Sequence, residues 1–325
     1  MPPSLLNWRT LLALLAPPML WAGNAVVGRW MVGQMSPVAM NGLRWVIVAL
    51  ILWPLSRGLW RQRGAIRSRA AHLFVLGLLG VGSYNALQYL ALQTSSPMSV
   101  TLIGASVPVW MMLVGRIGHG QPIHLRQGLG AMLSVAGVVL VIAQGQWSHL
   151  LHLRAAPGDA LMVLASLLWA IYSWQLAHPP ASMQGDQRPD WDWAAFLQVQ
   201  VLFGLIWAGA CTGVEFAWVA QTAPTGANEA WRGLWPHTAS AWVAMLFIAV
   251  GPSILAYRFW GQAVAKVGPT LAAFFGNLTP LFAALWSALF LGQPPRWYHP
   301  VALLMVMAGI AVSSRAPARG DQRLR

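Results

Sequence analysis

Asn85, Gln88 and Tyr89 follow one another at three- and four-residue spacing inside an apolar run. On a helix that spacing gathers two amides and a phenol on one face. In lipid such groups must turn toward protein or water, so this segment carries one stripe built for hydrogen bonding. Tyr84 adjoins it, and Asn24, Ser106, Tyr172, Trp174, Tyr257, Trp260 and Asn277 are set in equally apolar surroundings. Trp21 and Trp169 stand near mid-run, each inside a Leu-Trp-Ala triplet. Stacking rings plus amide hydrogen bonds suit a medium-sized amphipathic solute. Helix–helix packing is the other use for the same residues, and the sequence leaves both open.

Arg44 is the charged member of this set. It falls about seven residues into its run, roughly 10 Å deep at helical rise. A charge at that depth needs a partner or water. It reads either as a docking cation for a carboxylate or other anionic group, or as a structural Arg that binds backbone carbonyls of a broken span or snorkels outward. Arg29 lies nearer the end of its run and reads as interfacial.

Other chemistries find little support. The seven acidic residues are Asp159, Asp186, Asp190, Asp192, Glu215, Glu229 and Asp321. All are expected in loops or at segment edges, so no convergent acid–base pair is available for an enzyme. Cys211 is the single cysteine, which excludes an intrachain disulfide and a cysteine-rich metal site. His149 and His152 have ligand-like spacing but no acidic or Cys neighbour. Gly128-Leu-Gly130 lacks the third Gly of a dinucleotide fingerprint, and Asn277-Leu-Thr279 matches a glycosylation sequon only inside an apolar run. No cofactor is expected.

The elements that must position these residues are legible from composition. Of the 325 residues 57% are hydrophobic and 8% charged, against about 25% charged in an ordinary soluble domain. Apolar runs of about 20 residues match the hydrocarbon core of a bilayer. The expected fold is an all-α polytopic membrane protein with ten transmembrane helices, near 10–31, 37–56, 72–92, 97–116, 126–144, 158–176, 194–213, 239–260, 269–290 and 299–314. Longer connections are expected at 57–71, 177–193 and 214–238. The net charge of +13 comes from Arg between the runs, as topology signals do, and not from a nucleic-acid surface. Placing both termini in the cytoplasm puts the cluster Arg57, Arg61, Arg63, Arg67 and Arg69 inside, and leaves only Arg154, Arg232 and Arg296 outside.

The runs also repeat. GASVPVWMMLVGRIGHGQP at 104–122 and GNLTPLFAALWSALFLGQP at 276–294 share their Gly, Pro and closing Gly-Gln-Pro. The offset that carries Pro108 onto Pro280 also carries Pro97 onto Pro269 and Ala136-Gly137 onto Ala308-Gly309, without a gap. Two units of five spans are expected, 10–144 and 158–314, followed by a basic cytoplasmic tail, 315–325. Five is odd, so the second unit must cross the membrane inverted. Two inverted five-helix repeats can exchange conformations about a site near the midplane. Pro108 and Pro280, inside their spans, read as hinges or cavity walls because each removes a backbone donor. Gly130, Ser134 and Gly137 form a small-residue packing face.

The Leu-Trp-Ala of the first span, AMNGLRWVIVAL in the second, the Pro-preceded fourth and ninth spans and the closing AGVVLVI and AGIAVSS together resemble the EamA family of the drug/metabolite transporter superfamily. The resemblance runs from about residue 10 to 314. It implies a ten-span permease of the bacterial inner membrane, often an exporter of amino acids or other small metabolites. In that family a Glu commonly follows the Gly closing the fourth and ninth spans; here Gln121 and Gln293 stand instead and bring no charge. The expectation is a secondary transporter, not an enzyme, whose partners are the lipid bilayer and a small-molecule solute, with no nucleic acid. A homodimer is compatible with the sequence. With no acidic residue deep in a span, transport is not expected to be driven through a buried carboxylate.

Overall fold

The computed structural model describes residues 7–314 except 32, 96, 153–154, 224–226 and 292–294. Arg154, Gln293, the side chain of Arg29 and the tail 315–325 lie outside the described residues. Among those described the chain is all-helical, with no strand. In lipid each backbone N–H and C=O needs a protein partner, and apolar runs of this length without strand-like alternation meet that need as helices.

The helices run in chain order as α1 (Trp8–Trp30), α2 (Pro37–Leu52), α3 (Arg63–Ser68), α4 (Ala70–Leu76), α5 (Tyr84–Thr94), α6 (Pro97–Gly104), α7 (Val107–His119), α8 (Leu125–Ile142), α9 (Ser148–Leu151), α10 (Pro157–Ala177), α11 (Trp193–Thr222), α12 (Ala227–Gly233), α13 (Ala239–Ile248), α14 (Ala256–Val267), α15 (Pro269–Gly276), α16 (Thr279–Leu291) and α17 (Tyr298–Ser314). Among the described residues seven helical stretches are long and apolar enough to cross a bilayer, or eight if the bent pair at 37–68 counts as one span. The last helix, Tyr298–Ser314, is apolar but shorter.

Two helical stretches are bulged and two are broken, at matching positions. A π segment, Gly77–Ser83, joins α4 to α5, and another, Ala249–Leu255, joins α13 to α14. The two segments are related by the offset that separates Pro108 from Pro280, and so are α6 and α15, and α7 and α16. Pro108 and Pro280 themselves act differently from the in-helix kinks expected of them. The helix stops at Gly104 or Gly276 and restarts with the proline as its second residue, where a missing N–H costs nothing. Side-chain hydroxyls cover the loosened carbonyls: Ser106 Oγ donates to Ile103 O at 2.6 Å and Thr279 Oγ1 to Gly276 O at 2.7 Å.

Three expected connections are structured. Residues 57–62 form a 3-10 turn running into α3, bent 94° from α2. Arg69 pins this segment to the 181–188 loop by donating to Ser182 O at 2.7 Å and Gln187 O at 2.6 Å. Within 177–193 two 3-10 turns form, Ala181–Met183 and Gly185–Gln187. Helix α11 continues to Thr222 through the stretch expected as loop, because VEFAWVA remains apolar apart from one Glu. Glu215 is consequently on a helix, where its carboxylate accepts from Ser36 Oγ. Asp192 and Asp159 cap helix starts, accepting from Ala195 N at 2.7 Å and Ala156 N at 2.9 Å.

The core lies where α1, α2, α10, α11 and α14 meet the π segments. Close crossings need glycine. A Cβ on Gly130 would stand 2.6 Å from Gly309 O, and one on Gly309 would stand 2.6 Å from Gly130 O, so α8 and α17 touch backbone to backbone.

Candidate functional site

The two breaks border one chamber, to whose lining the bulges contribute no residue. A π segment leaves carbonyls without their helical donor, and such groups persist at membrane depth only beside a cavity or a neighbouring side chain. Here aromatic and amide side chains supply the donors. Tyr257 donates its hydroxyl proton to Gly80 O. Asn41 Nδ2 reaches Gly82 O at 3.2 Å. Pro252 has no N–H for Ile248 O, and Ser253 Oγ donates to it instead at 2.7 Å. Trp21 Nε1 donates to Pro252 O at 3.2 Å.

These bonds hold an aromatic box. The indoles of Trp21, Trp169 and Trp260 lie with ring centroids 5.4 Å apart in all three pairings. Tyr84 and Tyr257 flank Trp169 at 5.0 and 5.5 Å. Offset and edge-to-face contacts of this kind add to simple area burial. Trp260 Nε1 is fixed on Ser173 Oγ at 3.1 Å.

The box forms part of the wall of a cavity of about 170 Å³. Of the sequence candidates, Trp21, Asn24, Tyr84, Asn85 and Gln88 line it, as do Tyr89, Trp169, Tyr257, Trp260 and Asn277. Pro280 reaches the wall and Pro108 does not. Tyr172 stands behind the wall, its hydroxyl on Gln200 Oε1 at 3.0 Å and its ring against Gly80. Arg44 is also behind it. Sequence reasoning missed Thr101, Met162 and Gly104 in the lining, and Asn41 and Ser253 in the supporting network. Ser253 follows a mid-span proline and Asn41 precedes Arg44 by three residues, and those positions were the signals that could have found them.

Arg44 is fully buried. Its Nε donates to Ser253 Oγ at 2.6 Å and its Nη1 to Tyr89 Oη at 3.1 Å, while the guanidinium rests 5.0 Å over the Trp45 ring. Nη2 has no partner among the described residues, and no carboxylate lies among the cavity-lining residues. Both hydrogen-bond partners of Arg44 are side-chain hydroxyls, one on the second π segment and one on α5, and neither is a backbone carbonyl. The site can therefore stack, hydrogen-bond and polarise a bound solute; it offers no general acid–base pair and no cluster of metal ligands among the described residues.

A chamber of solute size enclosed by apolar, discontinuous helices defines a multi-pass membrane protein of the transporter kind. The chain belongs to the EamA-like transporter family, whose model matches residues 8–143 and again 156–315. An uncharacterized transporter of Archaeoglobus fulgidus is 25% identical, covering 95% of this chain and 98% of the relative. The aromatic amino acid exporter YddG of Ancylobacter novellus is 19% identical over 87% of this chain and 89% of its own. One protein crystal structure superposes with a TM-score of 0.68 at 20% identity, covering 94% of this chain and 96% of that one, a likeness of fold.

Proposed function

We propose that this chain is a secondary transporter that exports a small organic solute, such as an amino acid or related metabolite, across the bacterial inner membrane by alternating access. In this reading ten helical spans form two five-helix halves of opposite orientation, both termini are cytoplasmic, and the 170 Å³ cavity is the solute site. One observation carries it. Gly80 and Pro252 are the fourth residues of their π segments, equivalent under the repeat, and each carbonyl is held by an aromatic side chain from the other half: Tyr257 on Gly80, Trp21 on Pro252. A third bond, Asn85 Nδ2 to Tyr257 Oη at 3.4 Å, joins another pair of equivalent positions. Bonds that pass between the two halves onto equivalent carbonyls fit repeats that meet around a central site. The family match in two stretches supports the same division, and the name of the Ancylobacter novellus relative motivates the solute class.

Overexpression against a panel of toxic metabolites, followed by flux of the protected solute in membrane vesicles, tests the reading. Protection with solute-specific flux is expected; protection without flux, or no protection across the panel, defeats it.

A further inference from the structure

One point of the cavity wall has a fixed hydrogen-bond polarity, and its origin is a residue that does not touch the cavity. The Arg44 side chain offers only donors. Tyr89 Oη therefore accepts from Arg44 Nη1, at 3.1 Å. Its one proton is left for Asn24, and Tyr89 Oη stands 3.1 Å from Asn24 Oδ1. Asn24 Oδ1 is thereby committed as an acceptor on the protein side. Asn24 Nδ2 has no protein partner among the described residues, and Asn24 lines the cavity. With Oδ1 held by the Tyr89 hydroxyl, the amide is oriented so that its unpaired edge toward a solute is the Nδ2 donor.

The other amides of the wall are less committed. Asn85 spends Nδ2 on Tyr257, whose proton goes to Gly80 O. Asn277 spends Nδ2 on Ser134 Oγ at 2.9 Å. Each keeps its carbonyl oxygen and a second N–H, so those walls can offer either a donor or an acceptor. Arg44 adds a buried positive charge behind the Asn24 wall with no carboxylate partner among the described residues.

We infer that Arg44, acting through Tyr89, locks Asn24 as a hydrogen-bond donor, so that the cavity takes solutes presenting an oxygen acceptor at that wall, a carboxylate above all, and refuses an ammonium there. Arg44 and Tyr89 are positioning and specificity-determining residues, and Asn24 makes the contact. This rests on the cavity being the solute site.

Three small probes share a phenyl ring for the aromatic box and differ in the polar end: phenylacetate, phenylacetamide and phenethylamine. A cavity of roughly 150 Å³ is enough to hold benzene, so the ring fits. The purified full-length protein in detergent is melted with each probe. Wild type is expected to be stabilised by phenylacetate most, phenylacetamide next and phenethylamine least, the amine binding roughly tenfold more weakly than the amide. Asn24→Asp replaces the donor with an acceptor of nearly equal shape and should invert the order. Tyr89→Phe keeps the ring, frees the Asn24 amide to turn over, and should bring amide and amine to near-equal binding. A wild type that prefers the amine or responds to none of the probes, or an order unchanged in Asn24→Asp, overturns the inference. Because the readout is binding, absent solute flux would count against the transport reading alone, while a reversed order with intact flux would count against this one alone.

Discussion

Trp169 is the residue on which the candidate site turns. Its ring meets Trp21, Tyr84, Tyr172, Tyr257 and Trp260, drawn from α1, α5, α10 and α14. Removing it leaves five rings facing a void, so Trp169→Ala should cost about 3–5 kcal/mol of stability and abolish solute-dependent stabilisation. Trp169→Phe keeps an aromatic face and should recover most of the stability; thermal melts of both variants check this. The role of Trp169 was partly legible, since it sits in a Leu-Trp-Ala triplet that recurs around Trp21. Its partners were not: ring contacts across four helices depend on how those helices are rotated, which spacing along one segment does not encode. Arg44 shows the same divide. Its depth announced a need for partners, yet Ser253 lies 209 residues away and could be found only in three dimensions.

At the scale of elements, close contacts and bulges make separate predictions. Gly130→Val would drive a side chain into Gly309 O and is expected to destabilise by roughly 1–3 kcal/mol or more. Gly128→Ala on the same helix meets nothing within 4 Å and should leave the melting temperature and folded yield near wild type; equal behaviour of the two variants would refute the backbone-contact account of α8 and α17. Pro252→Ala restores an N–H for Ile248 O and competes with Ser253 for it. The π segment should tighten toward regular helix, leaving the melting temperature equal or higher while solute flux falls several-fold. Unaltered flux would mean the bulge is only a packing feature. The bulges themselves were not readable beforehand. A π segment is one extra residue in an apolar helix, and Gly77–Ser83 is as hydrophobic and glycine-bearing as many straight segments. The breaks at Gly104 and Gly276 were readable in place, through the paired Gly and Pro, though the prolines begin the new helices and do not bend old ones.

At the scale of the whole molecule, the proposed inverted halves fix which ends share a compartment. In a Cys211→Ser background, single cysteines introduced at Asn7 and Ser314 should both be labelled by a membrane-impermeant reagent from the cytoplasmic face alone; labelling from opposite faces would end the ten-span reading. The absence of acidic residues from the cavity lining makes a second prediction. In proteoliposomes an imposed proton gradient by itself should not drive uphill uptake, and uptake driven that way would show that another group carries the proton.

Sequence alone determined the solvent this chain is built for, the helical class, the approximate place of each apolar segment and the recurrence of the Gly and Pro punctuation at a constant offset. All of these follow from local hydrophobicity and from residue types repeated in order. The tertiary structure decided which side chains share a chamber, that Arg44 stands behind its wall and not in it, and that Tyr257 and Trp21 hold the carbonyls of Gly80 and Pro252. Those outcomes depend on the rotation and approach of helices distant in sequence. Hydrogen-bond polarity in particular passes from one side chain to the next through space, and no single segment carries the whole relay.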